Sequence, residues 1–381
     1  MLITRRPETG ATTGVQVMST LMQASHQWAT RPDDERFLSL LDMRDHFDTI
    51  RNQSRELVIS TRQVSARPLG DDHKALELVG PSGVGYAPTH WSFGQLAALS
   101  EAPAGYLRRL PSAMAADCIN WGMQKLRNIE DVGLLLQKNG SNTVRAATGP
   151  RYGRIWNADV LNTLTKKFGD GVTGEWKVPG EFGVDVPVTK QNTTLYAGDR
   201  DMFVFLADEK NRITVPNRRN GKSGSLARGF WVSNSEVGSA TFVLGTFLFD
   251  YVCMNRIVWG AADYREIRLR HTASAPDRWL EELQPALISY ANSSSQSITQ
   301  AVEKAQASRL DPDNVAEFLA KRFGTRMVQP LMMIHSTEEN RPIETLWDVT
   351  TAATAYARSI PFQDERVKME RLAGDVMDLA A

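Results

Sequence analysis

The sequence predicts an α+β protein with a central, curved antiparallel sheet, helices on the N-terminal side of that sheet, and a helical C-terminal third. The sheet is predicted over residues 190–271, where short runs of β-branched and aromatic residues are separated by Gly, Asn and Asp. Tight connections between such runs favour an antiparallel meander. From Pro276 onward, apolar residues recur at helical spacing, which predicts helices to the end of the chain.

The first third of the chain is predicted to be mainly helical, with interspersed strands. Residues 1–35 contain the stretches TRRPETGATTG and TRPDDE and are expected to form a flexible segment. Residues 80–88 are expected to form a turn-rich loop, and Ser92 is the expected N-cap of the helix that follows. The predicted elements are helices over 37–50, 92–100, 112–126 and 159–168, and strands over 132–137 and 144–147.

The remaining elements follow the change in pattern near Pro276. A long helix over 276–307 is expected to break at Pro285 and at the serine run 293–295. Asp311 and Pro312 begin a helix that ends near Gly324. The predicted strands are 193–196, 202–207, 229–234, 240–249, 252–259 and 266–271, and the last predicted helices are 343–358 and 362–379.

Three parts are expected along the chain: the flexible segment 1–35, an α+β core domain over 36–310, and a C-terminal helical region over 311–381. The 381 residues include 44 Lys and Arg and 44 Asp and Glu, so the net charge gives no signal for nucleic acid. Any such signal must come from local clustering.

The cysteine count and the hydropathy pattern favour a soluble, cytoplasmic protein. Cys118 and Cys253 are predicted to be reduced, buried and free of metal, because two isolated cysteines build neither a disulfide framework nor a CxxC site. The most apolar stretch, 242–254, contains Asp250 and is shorter than the roughly 20 residues that cross a bilayer. The first 14 residues lack the apolar core of a signal peptide.

The clearest charge feature is residues 210–228, called the basic loop below, which contains no acidic residue. Its Gly, Ser and Asn content predicts an exposed, flexible loop that favours a phosphate partner. The competing interpretation is a solvated loop offset by the acidic residues 199, 201, 208 and 209. The candidate nucleic-acid-binding residues are Lys210, Arg212, Arg218, Arg219, Lys222 and Arg228, together with Arg151 and Arg154. Tyr152, Phe230 and Trp231 are candidates for stacking on bases, although most aromatic residues of this kind belong to the core.

The sequence contains no constellation that predicts catalysis, and we expect neither an enzyme nor a cofactor. The NGKSGS segment lacks the first glycine of a P-loop, because Pro216 stands at that position. The six histidines show no metal-binding spacing, and no metal site is expected. Asn234, Ser235 and Glu236 predict a structural turn between two strands, and Glu236 is a candidate acceptor for a nearby arginine.

The succession of segments 86–110, 145–161, 229–259 and 345–357 resembles the phage/plasmid-like protein family, a family of unknown function found mostly in mobile elements. The turn at Asn234–Glu236, followed by Cys253 and Asn255, is the most specific matching element. Where that family often shows Cys-x-Asn-Gly, this chain has Cys-Met-Asn-Arg. The resemblance covers most of residues 40–370 and implies action inside a bacterial host, but it carries over no activity and no catalytic residues.

The sequence supports two main interpretations of function, and an enzyme with a dispersed site is a third. The first is a nucleic-acid-binding protein of a phage or plasmid, which binds or anneals single-stranded DNA during replication or recombination. The second is a non-enzymatic factor that binds a host protein, for instance a defence protein; self-association is compatible with both. A continuous positive groove formed by the basic loop with Arg151 and Arg154 favours the first interpretation.

Overall fold

A computed structural model describes residues 32–69, 75–125, 131–179, 187–251, 255–257, 267–360 and 363–380. It confirms the α+β class and the helical C-terminal part. None of the helices in these ranges combines the length and the hydropathy needed to cross a bilayer. The predictions for Cys253 and for nearly all of the N-terminal segment 1–35 lie outside the described residues.

Along the chain, the first sheet lies before most of the predicted strands, and its first strand directly follows helix α1, Leu40–Gln53. Its strand order is β1-β5-β6-β4-β3-β2, with antiparallel neighbours except for the parallel pair β4 and β6. Its strands are β1 Ser54–Ser60, β2 Ser65–Pro68, β3 Leu76–Val79, β4 Gly85–Pro88, β5 Asp131–Lys138 and β6 Asn142–Thr148. Its helices are α2 His90–Leu99, α3 Ala104–Leu107 and α4 Ser112–Lys125.

The first sheet must curl, because its two edge strands follow one another in the chain. Strands β1 and β2 stand at opposite edges, yet only residues 61–64 connect them. That connection reaches at most about 18 Å, whereas the edges of a flat six-stranded sheet are about 24 Å apart. The turn after β3 accordingly approaches β1, so that a Cβ on Gly80 would lie 3.8 Å from Ile59 Cδ1. The sheet is therefore a partly closed half-barrel.

The second sheet has eight strands, and all its pairs are antiparallel, as predicted. Helix α5, Asn157–Phe168, packs against one face together with α1 and with helices that follow the sheet. The other face is an aromatic cluster that includes Phe205, Trp231 and Phe247. The strands are β7 Trp176–Lys177, β8 Leu195–Ala197, β9 Met202–Asp208, β10 Ile213–Val215, β11 Gly224–Asn234, β12 Phe242–Asp250, β13 Asn255–Ile257 and β14 Ile267–Leu269.

The C-terminal helices form a separate apolar cluster against β10 and one end of β11 and β12. The predicted helix over 276–307 breaks at the serine run, as expected, and a five-residue π turn precedes Pro285. The helices are α6 Ala275–Arg278, α7 Gln284–Asn292, α8 Gln296–Ala307, α9 Val315–Phe323, α10 Val328–Glu339, α11 Leu346–Ser359 and α12 Gln363–Met377.

Three local predictions are wrong. Residues 80–88 are not all loop, since β4 occupies their second half. The N-cap of α2 is Thr89, whose side chain accepts a hydrogen bond from the Ser92 backbone N–H, and Ser92 lies inside the helix. Cys118 is exposed, because it lies on the face of α4 opposite the residues that fill the core.

Candidate functional site

The basic loop carries its first two cations in ion pairs. Lys210 pairs with Glu175, and both side chains are largely exposed. Arg212 pairs with Glu209, and its guanidinium lies over the Tyr251 ring, 4.1 Å from the centroid. Glu209 is one of the acidic residues that the solvated-loop interpretation named, so local compensation accounts for Arg212.

Arg218 lies inside the protein, with 1% of its surface exposed. Its Nη1 donates to Asp250 Oδ2 at 2.9 Å, and its Nη2 donates to Glu339 Oε1 at 2.6 Å. Asp250 ends β12 and Glu339 ends α10, so the guanidinium joins the second sheet to the C-terminal helices. The expectation that this arginine faces solvent is wrong, because two buried carboxylates 32 and 121 residues away hold it in the interior.

Arg228 is also buried and joins a strand to a helix end. Its Nε donates to Asp208 Oδ2 at 3.0 Å on the neighbouring strand β9. Its Nη1 donates to the Ser293 carbonyl at 2.6 Å, and its Nη2 donates to the Ala291 carbonyl at 3.2 Å. These carbonyls belong to the last turn of α7 and the residue after it, so Arg228 satisfies acceptors that the helix leaves unpaired.

Arg219 and Lys222 remain at the tip of the basic loop, exposed and without an ion-pair partner among the described residues. The tip is anchored rather than free along its length. The Arg218 backbone N–H donates to the Lys222 carbonyl at 2.7 Å. Asn340 Nδ2 donates to Asn220 Oδ1 at 2.9 Å, and Arg341 Nη2 donates to the Asn217 carbonyl.

The two candidate arginines outside the basic loop, Arg151 and Arg154, also differ in exposure. Arg154 is buried, and its Nε donates to Glu56 Oε1 at 2.6 Å. Arg151 is exposed. Phe230 and Trp231 are fully buried on opposite faces of the second sheet, so neither is available to a base. Because Arg154, Arg218 and Arg228 all lie inside the protein, these three cannot line a surface groove.

The turn Asn234–Glu236 is the centre of a polar junction between the two sheets. Arg145 Nη2 lies 2.9 Å from Glu236 Oε2, which confirms the expected arginine partner. Strand β6 has a bulge here, since Leu135 pairs with Ala146 and the next residue of β5 pairs with Val144. The bulge leaves Arg145 unpaired in the ladder and directs its side chain toward the turn.

The Glu236 carboxylate also accepts a hydrogen bond from the N-terminus of helix α5. Glu236 Oε1 accepts a hydrogen bond of 2.8 Å from the Asn157 backbone N–H, in the first turn of α5. Asn234 Nδ2 donates to the Ile155 carbonyl and to Asn157 Oδ1, both at 2.7 Å. A negative charge at a helix N-terminus is stabilised by the helix dipole. The junction therefore has a structural role, as the turn prediction expected. The sequence predicted an arginine partner for Glu236 but did not identify it as Arg145.

Two titratable rings of the junction stay neutral at physiological pH. Tyr152 and His271 stack with their ring centroids 4.9 Å apart. Burial raises the pKa of Tyr152 above its usual range, and its hydroxyl donates to the Ser235 carbonyl. Burial lowers the pKa of His271 to about 4, although its hydrogen bond to the Gly153 carbonyl acts in the opposite direction. Neither ring is suited to proton transfer near pH 7.

The half-barrel encloses a pocket that sequence reasoning did not find. Its volume is about 280 Å³. Arg55 Nη2 reaches the Tyr86 hydroxyl at 3.4 Å, although two strands separate β1 from β4 in the sheet order, so this contact crosses the concave side. The lining residues are Arg55, Leu57, Ile59, Val64, Leu78, Gly80, Pro81, Ser82, Val84, Tyr86, Leu134, Leu136 and Val144.

The polar side chains of this pocket are the Arg55 guanidinium, which only donates hydrogen bonds, and the hydroxyls of Tyr86 and Ser82, which can donate and accept them. Arg55 is exposed at the edge of the sheet and has no carboxylate partner among the described residues, whereas the Tyr86 hydroxyl is buried. The walls below them are the aliphatic side chains of five strands and the turns between them. In the described part of the chain, no group of three or more His, Cys, Asp or Glu lies close enough together to hold a metal ion.

Comparison with known proteins adds no relative. No family model, no curated protein and no solved structure matches the chain. The resemblance to phage/plasmid-like proteins therefore stays a prediction.

Proposed function

We propose that this chain is a binding protein whose half-barrel pocket takes a small, mainly apolar carboxylate. The observation that carries the proposal is an aliphatic pocket whose polar side holds a tyrosine hydroxyl and an arginine that pairs with no carboxylate in the part of the chain that the structure describes. A pocket of about 280 Å³ has room for about nine water-sized groups. Octanoate and 3-phenylpropanoate are of this size and carry the charge that Arg55 complements.

The polar and apolar parts of the pocket have separate roles in this proposal. The side chains of Leu57, Leu134 and Val144 contribute affinity through burial of the ligand's apolar body. Arg55 selects the anionic head, and its exposed position allows it to bind the head without the full cost of burying a charge. Tyr86 donates the second hydrogen bond to the same head.

Calorimetric titration with octanoate and octan-1-ol tests both roles. Arg55→Gln should weaken octanoate binding about tenfold, which corresponds to about 1.4 kcal/mol, and leave octanol binding unchanged. The matched control is Arg62→Gln, because Arg62 is exposed in the connection after β1 and does not line the pocket. Leu57→Trp should abolish binding of both ligands by filling the space. Equal octanoate affinity in Arg55→Gln and Arg62→Gln would contradict the proposal.

A second candidate function is binding of single-stranded nucleic acid, in a phage or plasmid context, through the tip of the basic loop. It is favoured by Arg219 and Lys222, which are exposed, lack acidic partners among the described residues, and stand on an anchored turn. Each phosphate contact on a single strand contributes about 0.7 to the salt slope. Arg219→Ala combined with Lys222→Ala should therefore lower the slope by about 1.4 in a salt series with oligothymidylate.

The control for this test is Lys210→Ala, since Glu175 already pairs with Lys210. It should leave the salt slope unchanged. An unchanged slope in the double variant as well would mean that the loop tip is merely solvated, and it would remove this second candidate.

A further inference from the structure

We infer that α4 is a self-association surface, on which a second copy of this chain packs antiparallel about a two-fold axis at Trp121. No residue of α4 lines the pocket, so this dimer does not depend on the proposed ligand. Helix α4 carries an apolar stripe that no described part of the chain covers: Met114 is 54% exposed, Cys118 is exposed and Trp121 is 68% exposed.

The stripe follows helical spacing. Met114, Cys118 and Trp121 stand at positions i, i+4 and i+7 of α4, so they lie on one side of the helix. The opposite side is in the core, where Ala115 and Ile119 are buried. A helix that is apolar on both sides usually packs against two neighbours, and only one is present in the described part of this chain.

The orientation of α4 is fixed by contacts on its flank. Asn120 accepts a hydrogen bond from the Ala66 backbone N–H at 2.7 Å and donates to the Ala66 carbonyl at 2.8 Å. The amide thus occupies the free edge of β2 in the manner of a partner strand. At Gly122, a Cβ would lie 2.2 Å from the Ser100 carbonyl oxygen, so α4 approaches the end of α2 closely. The exposed stripe is therefore presented on a rigid helix.

The charges beside Trp121 indicate that the partner packed on the stripe is a second copy of this chain. Asp117 and Lys125 are exposed, lie four residues before and after Trp121, and have no ion-pair partner among the described residues. Lys125 Nζ lies 5.2 Å from the centroid of the Trp121 ring. Each charge is about 6 Å along the helix axis from Trp121.

This arrangement of charges is complementary to a second copy of itself only when the two α4 helices run antiparallel. When two α4 helices run antiparallel with the axis at Trp121, each Asp117 faces the partner's Lys125, and the two indole rings meet at the centre. In a parallel pair, like charges would face one another, which is unfavourable. A two-fold contact of this kind is isologous and closes at a dimer.

Charge reversal tests this arrangement in the full chain by sedimentation equilibrium. The wild type should show a monomer–dimer equilibrium, and Asp117→Lys or Lys125→Asp alone should weaken dimerisation about tenfold, because each places two like-charge pairs at the interface. The double variant Asp117→Lys with Lys125→Asp should restore the wild-type constant. Trp121→Ser should remove the dimer. In dilute solution, where the wild type is also monomeric, its melting temperature should match that of the wild type because the side chain lies at the surface.

Two results would overturn the inference. One is a wild type that stays monomeric up to about 1 mM. The other is a dimer that both single reversals leave unchanged. Arg109→Glu, on an exposed residue before α4, is the matched control for a change of charge away from the stripe.

Discussion

The first sheet curls around a space that its side chains leave unfilled, whereas the second sheet is packed on both faces. In the first sheet, Arg55 and Tyr86 approach one another across the concave side, and Arg55 has no carboxylate partner among the described residues. At the second sheet, Arg228 of β11 and Arg218 in the connection before β11 are paired with carboxylates inside the protein. Arg55 is thus exposed at the rim of the first sheet, whereas Arg218 and Arg228 satisfy buried carboxylates at the second.

The difference follows from how each sheet is covered. The second sheet lies among α1, α5, α6, α7 and the C-terminal helices, so cations that reach its interior must be neutralised there. The first sheet partly closes on itself. The short connection between β1 and β2 holds its two edges close together, around a space that the side chains do not fill. Free volume and an arginine that has no carboxylate partner in the described ranges thus occur in the same region.

The largest effect expected from this comparison is at Arg218. Arg218→Ala removes the guanidinium that pairs with the buried carboxylates of Asp250 and Glu339, so the free energy of unfolding should fall by about 3–5 kcal/mol. Urea denaturation measures the change. The neighbouring substitution Arg219→Ala should stay within about 0.5 kcal/mol, because that side chain is at the surface. Equal losses for the two variants would break the distinction between buried and exposed arginines.

The next effect is on the pH dependence of stability at the junction of the sheets. The pKa of His271 is about 4 in the folded protein and about 6.5 in the unfolded chain. The unfolded chain therefore takes up the proton first, and stability present above pH 6.5 is lost as the pH falls toward 4, by about 3 kcal/mol.

Urea midpoints between pH 4 and 7 test this expectation. His271→Phe keeps a ring against Tyr152 but cannot be protonated, so its stability should fall less steeply than that of the wild type. His90→Gln, at an exposed histidine, should follow the wild type. If His271→Phe had the wild-type slope, the buried ring would not be the source of the pH dependence.

A smaller effect distinguishes the packing of the two sheets. A Cβ on Gly229 would lie 2.4 Å from Phe247 Cζ, and that ring is buried in the aromatic cluster. Gly229→Ala should therefore cost about 1–3 kcal/mol. Gly80→Ala in the first sheet meets only Ile59 Cδ1 at 3.8 Å and should change stability by less than about 0.5 kcal/mol. Thermal unfolding of both variants provides the comparison.

The sequence was sufficient for the longer strands of the second sheet and for most of the C-terminal helices, because their patterns are local; strands β7 and β10 and helix α10 were not predicted. Strands β9, β11 and β12 are runs of β-branched and aromatic residues that Gly, Asn or Asp separates. All four strands before α2 were missed because they are short or lack such boundaries; β1 follows α1 with no intervening Gly or Pro. Its sequence SRELVIS also contains two charged residues, which weakens the strand signal.

The roles of the arginines required long-range information. Arg218 and Arg219 are adjacent and identical in type, yet one is buried and the other exposed. The difference comes from Asp250 and Glu339, which only the fold brings near Arg218. The pocket likewise has no local signature, since its walls come from strands spread over residues 55–144.

The most direct test of the ligand proposal is a methyl NMR titration of the whole chain with octanoate. We expect shifts at the pocket methyls of Leu57, Leu134 and Val144, which saturate with the dissociation constant measured by calorimetry. The methyls of Leu206 and Val232, packed in the second sheet, should not move. Shifts confined to the second sheet, or no saturable shift at the pocket methyls, would contradict the claim that the half-barrel is the binding site.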